Sequence, residues 1–126
     1  LHFDRENPRL VEYGIKSNTP EIEILKILWE AMDVMELVMS ISSSGYFPHE
    51  PLIVTEEEEN YVVLEGNRRL AALKVLTVGS LAADNKWQIP KIAPELKAQI
   101  REVPVIFESR EGSWKYLGFK HVNGPA

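Results

Sequence analysis

Two adjacent arginines, Arg68 and Arg69, follow Gly66-Asn67 at the point where an apolar run ends and a helical pattern begins. Paired guanidinium forks beside a glycine-led turn suit one kind of chemistry, the holding of phosphate or other anionic oxygens. Tyr61-Val62-Val63-Leu64-Glu65 is a β-branched and aromatic run that predicts a buried strand. Leu70, Leu73 and Leu76 then recur at three-residue steps, with Ala71, Ala72 and Val75 between them, which predicts a helix with a broad apolar face. Asn67 is the expected cap of that helix, so both arginines fall in its first turn. Like charge at the positive end of a helix is unfavourable. Two arrangements relieve it: an anion seated over the turn, or guanidiniums that reach solvent or pair with the acidic run Glu56–Glu59. The residues alone leave both open. Glu65 has the chemistry of a general base or a metal ligand, and equally that of a partner orienting Arg68 or Arg69.

The elements that must position this corner are legible on both sides of it. Thr19-Pro20 signals a helix start, followed by Ile24, Leu25, Leu28, Ala31 and Met32 at helical spacing. Asp33 with Glu36 has the form of a capping box for a second helix, ended by Ser42-Ser43-Ser44-Gly45 with Gly45 in a left-handed conformation. Trp29 and the three methionines are expected in the core. Tyr46 to Pro51 is a rigid aromatic and proline loop, Leu52–Thr55 a short buried strand, and Glu56–Asn60 a solvated hairpin tip. Gly79 to Pro94 reads as a long connection with a helical turn near Leu81. Glu95 to Arg101 is expected to form a short helix, and Val103 to Phe107 an edge strand because of Pro104. A last helix is expected over Arg110 to Phe119. Residues Leu1 to Lys16 are expected to be extended or turn, ahead of the helices. The sum is a small mixed α+β domain.

The 126 residues fit one domain with a single core, 44% hydrophobic and 26% charged. The chain has no cysteine, which excludes disulfides, thiolate ligands and thiol nucleophiles and fits a cytoplasmic setting. No apolar run approaches membrane-spanning length and no signal-peptide pattern is present. A start at Leu1 and an end at Gly124-Pro125-Ala126 are those expected of a domain excised from a longer protein. The net charge of −5 argues against a broad platform for nucleic-acid backbones but allows a local basic site.

The ordered set of a helix, Ser-Ile ahead of Gly45, an aromatic and proline loop, Pro51-Leu52-Ile53-Val54, a hairpin and Glu65-Gly66-Asn67-Arg68-Arg69-Leu70-Ala71-Ala72 resembles the N-terminal domain of ParB-type partition proteins, of the superfamily shared with sulfiredoxin. Asn7-Pro8-Arg9 is similar to that family's upstream box. The resemblance implies a ParB/sulfiredoxin-like fold, a small mixed sheet with helices packed around it. It implies a nucleotide site in which Gly66, Asn67, Arg68 and Arg69 hold phosphates, with Mg²⁺ bridging a nucleoside triphosphate, and in which Gly45, Tyr46, Phe47 and Pro51 line a pocket for the base. Partition proteins use CTP in a clamp switch that pairs as a homodimer. Sulfiredoxin uses ATP through a cysteine that Asn67 replaces here, so its chemistry is excluded. The family's third box, Glu-Asn-x-x-Arg, corresponds to Tyr116 to Gly124. That stretch has no carboxylate and amide pair, and Lys120 or His121 stands where a basic member would meet phosphate. The expectation is a bacterial nucleotide-binding domain, an NTP switch or weak NTPase on CTP or ATP, with DNA reached through the full-length protein. A ParB-like nuclease and a non-catalytic DNA-binding or protein-interaction module are the alternatives.

Overall fold

A computed structural model describes residues 1–45 and 51–110. In chain order these form β1 (His2–Phe3), α1 (Pro8–Glu12), α2 (Glu21–Ala31), α3 (Val34–Ser44), β2 (Leu52–Glu57), β3 (Asn60–Glu65), α4 (Asn67–Thr77), α5 (Gly79–Asp84), α6 (Pro94–Arg101) and β4 (Val105–Phe107). The fold is mixed α+β, as expected. β1 and α1 were not foreseen, because a two-residue strand and a five-residue helix are too short to show a period. The expected final helix lies outside the described residues beyond Arg110.

The sheet order is β1-β3-β2-β4. The β2–β3 hairpin forms its centre, with β1 parallel to β3 and β4 parallel to β2 at the two edges. Pro104 precedes β4 and only its carbonyl is used, accepting the Leu52 N–H at 3.3 Å. The β2–β3 register shifts by one between Ile53 and Val54: Val54 pairs with Val63, but Ile53 pairs with Glu65. Leu64 therefore has no directly opposed partner. A bulge there bends the strand end just before Gly66. The tip is only Glu58-Glu59, both at positive φ of 50° and 66°. This is the backbone of a two-residue hairpin turn usually built from Asn-Gly.

α4 is the helix around which the others pack. Leu70, Ala71, Ala72, Leu73, Val75 and Leu76 are all buried on it. It touches α2, α3, α5, α6 and β3. Leu52, Val54 and Val63 of the sheet share its buried cluster, with Ile24, Leu25 and Leu28 of α2 and Val34, Val38 and Ile41 of α3 completing the core. Trp29 stacks on Trp87 with ring centroids 4.2 Å apart, which anchors the connection after α5 to α2. Met32 also packs against the core. Met39, expected inside, is half exposed, because Val38 and Ile41 already fill the buried side of α3.

The ends of α2 and α3 differ from expectation. Pro20 caps α2 rather than opening it, and the Thr19 hydroxyl accepts the Lys16 N–H at 2.8 Å instead of capping. Asp33 stands at the start of α3 with φ 49° and ψ 54°, and its carboxylate makes no capping bond, so there is no capping box with Glu36. Gly45 ends α3 with the expected positive φ, 84°, but its ψ of 174° carries the chain out extended. Among the described residues no helix is long and apolar enough to cross a membrane.

Candidate anion-binding site

Gly66, not Asn67, caps α4. Its φ of 105° is one that L side chains rarely adopt. Space makes the same demand, since a Cβ here would lie 2.5 Å from Leu52 Cδ2 and 3.3 Å from Arg69 Nη2. The Leu70 N–H closes the first helical bond onto the Gly66 carbonyl at 2.8 Å. No side chain caps the helix start and no acid stands in its first turn. Asn67 is instead the first helical residue, buried at 6% exposure, and its Oδ1 accepts the Asp4 backbone N–H at 3.3 Å.

The two arginines have separate settings. Arg68 Nε donates to the Met32 carbonyl at 2.6 Å and Nη2 to the Asp33 carbonyl at 2.8 Å. Nη2 also lies 3.7 Å from a largely exposed Glu36 carboxylate. Met32 closes α2, so a cation meets the negative end of that helix and occupies carbonyls that have no partner within it. Arg68 therefore does not pair with the Glu56–Glu59 run; Glu57 is taken by Arg110. The Arg69 guanidinium folds back over Gly66, with its Cζ 3.5 Å from the position a Cβ would take.

Between α1, the end of β3 and the start of α4 lies a cavity of about 330 Å³. Its cationic wall is Arg9, Arg68 and Arg69, with Glu65 as the acid among them; Leu10, Met32 and Leu37 form an apolar side. Glu65 is half-buried at the last position of β3. Arg68 takes Glu36 as its acid neighbour, so the expected orienting pair of Glu65 with Arg68 does not form. Arg9 is the residue that sequence reasoning did not assign to the site. The signal was there in Asn7-Pro8-Arg9: Asn7 caps α1 by accepting the Arg9 N–H at 2.9 Å, while its Nδ2 donates to the Leu64 carbonyl at 3.4 Å. That pair of bonds brings Arg9 beside the bulged end of β3.

Of the residues expected around the base, Gly45 and Pro51 are not among the described residues lining this cavity. Tyr46, Phe47 and His121 lie outside the described residues. Among the described residues no group of three or more His, Asp or Glu side chains is placed to hold a metal ion.

A second charged cluster lies outside the cavity lining. Arg110 Nη1 donates to both Asp4 carboxylate oxygens at 3.1 and 3.0 Å, Nε and Nη2 donate to Glu57 at 3.2 and 2.7 Å, and Nη2 lies 3.2 Å from Glu6. Its pKa is raised, chiefly by the Glu57 hydrogen bond, which outweighs burial, with Asp4 adding to the rise. On α4, burial pushes the Lys74 ammonium below its usual range, and Glu21 at 3.9 Å opposes that shift. Lys74 also sits 5.6 Å from the centroid of the Phe3 ring.

Comparison with protein-family models, with curated proteins and with solved structures finds no match for this chain.

Proposed function

We propose that the start of α4 binds the phosphates of a nucleotide, in a ParB-like domain working as an NTP switch or weak NTPase of a bacterial DNA-maintenance, partition or mobile-element system. The observation that carries this reading is the cavity itself: three arginines and one carboxylate line it beside a helix start that no side chain caps. Phosphate oxygens would relieve the crowding of like charge at the positive end of α4. Arg69 and Arg9 supply guanidinium donors, and Arg68 keeps Nη1 outside its two carbonyl bonds. Leu10, Met32 and Leu37 offer an apolar side to the remainder of the ligand.

A single carboxylate at the cavity fits an Mg²⁺ carried in on phosphates better than one caged by protein. Glu65 would hold that ion, which would offset phosphate charge. Without it, Glu65, the one carboxylate among the described residues of the lining, would be the group to take a proton from an attacking water. Contact with DNA would come through the full-length protein, and pairing of two copies would follow nucleotide binding.

Calorimetric titration with CTP, ATP, GTP and UTP in the presence of Mg²⁺ tests the reading. Binding of at least one, weakened on Arg69→Ala, is the expected result. No binding by any of the four, or binding unchanged when Arg68 and Arg69 are both alanine, would sink it.

One observation favours a second reading, a non-catalytic interaction module. Arg68 uses its strongest bonds on the protein's own carbonyls, as a structural residue does. Phosphate binding without any turnover would distinguish that module from an NTPase.

A further inference from the structure

Asp4 is buried at 3% exposure, and each of its polar groups is committed. Its N–H donates to Asn67 Oδ1 at the head of α4. Its carbonyl accepts the Asn7 N–H at 3.1 Å, and its Oδ1 accepts the Glu6 N–H at 3.1 Å. Together these bonds shape the turn that delivers Asn7 and Arg9 to the cavity. What remains of the carboxylate is held by Arg110 from the far end of the described chain.

We propose that Arg110 is a positioning residue for the anion cavity, acting through Asp4 on Asn67 and on the turn that carries Asn7 and Arg9. Arg110 is not among the described residues lining the cavity. Its guanidinium is fixed on two sides, by Asp4 from the N-terminal turn and by Glu57 from the end of β2. It therefore pins that turn to the sheet. A carboxylate this buried is strongly unfavourable without a counter-charge. The neighbouring cation cannot substitute, because Arg5 is engaged with Glu21 at 3.2 Å and with the Thr19 carbonyl at 2.8 Å. With Arg110 removed, the buried Asp4 carboxylate has lost its counter-charge and turns toward water. That movement takes its Oδ1 off the Glu6 N–H and shifts the turn whose backbone meets Asn67 and Asn7, so the Arg9 wall and the head of α4 lose their fixed relation.

This inference rests on the cavity being an anion site, and two readouts separate the failures. The first is calorimetric affinity for inorganic triphosphate, measured well below each variant's melting temperature. The second is the amide NMR spectrum without ligand. Arg110→Ala is expected to weaken triphosphate binding about tenfold or more, the usual scale for losing a partner that orients a binding group. It is also expected to move the amides of Glu6, Arg9 and Asn67 while that of Ile100 in α6 stays. Arg110→Lys keeps the charge but loses the double fork and should fall between. Unchanged affinity overturns the proposal, whether or not amides move, since a clamp without effect on binding is merely structural. Weaker binding with those amides unmoved overturns it too, and so does full affinity in Arg110→Lys, since each marks long-range charge alone. If the wild-type chain binds no triphosphate, the anion reading fails and the amide shifts decide the coupling by themselves. If Arg110→Ala does not fold, the same readouts on Arg110→Lys decide.

Discussion

Arg68 Nε lies 2.6 Å from the carbonyl oxygen of Met32, so a residue in the first turn of α4 closes the last turn of α2. A second bond, to Asp33, extends the hold across the junction between α2 and α3. Asp33 has positive φ there, and a junction of that shape leaves carbonyls turned outward that a long cation can reach.

Arg68→Ala should thus act first on stability. Loss of two bonds from a charged donor, with the carbonyls left behind, is expected to cost about 1–3 kcal/mol in urea unfolding. Arg68→Lys should recover only part, since an ammonium lacks the planar fork that spans two carbonyls.

Arg69→Ala should be read first in binding. Its guanidinium lies over Gly66 at the cavity. Affinity for triphosphate should fall about 10- to 100-fold, the equivalent of one charge-assisted contact. A stability loss matching that of Arg68→Ala with affinity retained would reverse the assignment of the two residues.

Gly66→Ala meets two penalties together. Left-handed strain and the close approach of Leu52 Cδ2 combine to about 2–4 kcal/mol, read as a lower unfolding midpoint. Trimming the neighbour with Leu52→Ala in the same chain should restore none of the conformational part.

The Glu58-Glu59 tip is open to improvement. Replacing it with Asn-Gly supplies residues that accept positive φ at both positions and should raise stability by about 1–2 kcal/mol without altering phosphate affinity.

Lys74 gives a pH signature. Its folded pKa lies below 10.5, so between those two values the unfolded chain holds the extra proton and stability rises with pH. Below that window the charged ammonium carries its full burial penalty, and above it the penalty is gone. The facing groups are Glu21 and the Leu1 amino group. Unfolding midpoints measured up to pH 10.5 should climb in the wild-type chain more than in Lys74→Met, and parallel curves would refute the effect.

Much of the frame is legible in the residues because it is local. The continuous run Leu52–Thr55, the strand ending at Glu65 and the three-residue steps after Leu70 each follow from a pattern that neighbours alone create. The site is legible by half. Gly66, Arg68 and Arg69 announce themselves by clustering, whereas Arg9 is brought to the cavity by distant bonds such as that from Asn7 to Leu64, across a sequence separation of 57. The capping role expected of Asn67 passes to Gly66 for a similarly distant reason: the Asn67 side chain is claimed by Asp4, 63 positions away. No pattern within one helix reveals that competition. Arg68 misleads in the same way, since its partners Met32 and Asp33 belong to another helix junction.

Among the described residues strand β1 pairs only with β3, and the register puts Phe3 beside Val63. Phe3 can already meet Glu21 of α2, but β1 must wait for the hairpin before it has a strand to pair with. During synthesis Arg9 emerges long before Arg68 and Arg69, so the pocket between them is among the last features to close. A ligand that needs all three then recognises only the finished molecule, and its grip would hold the α1 segment against the head of α4.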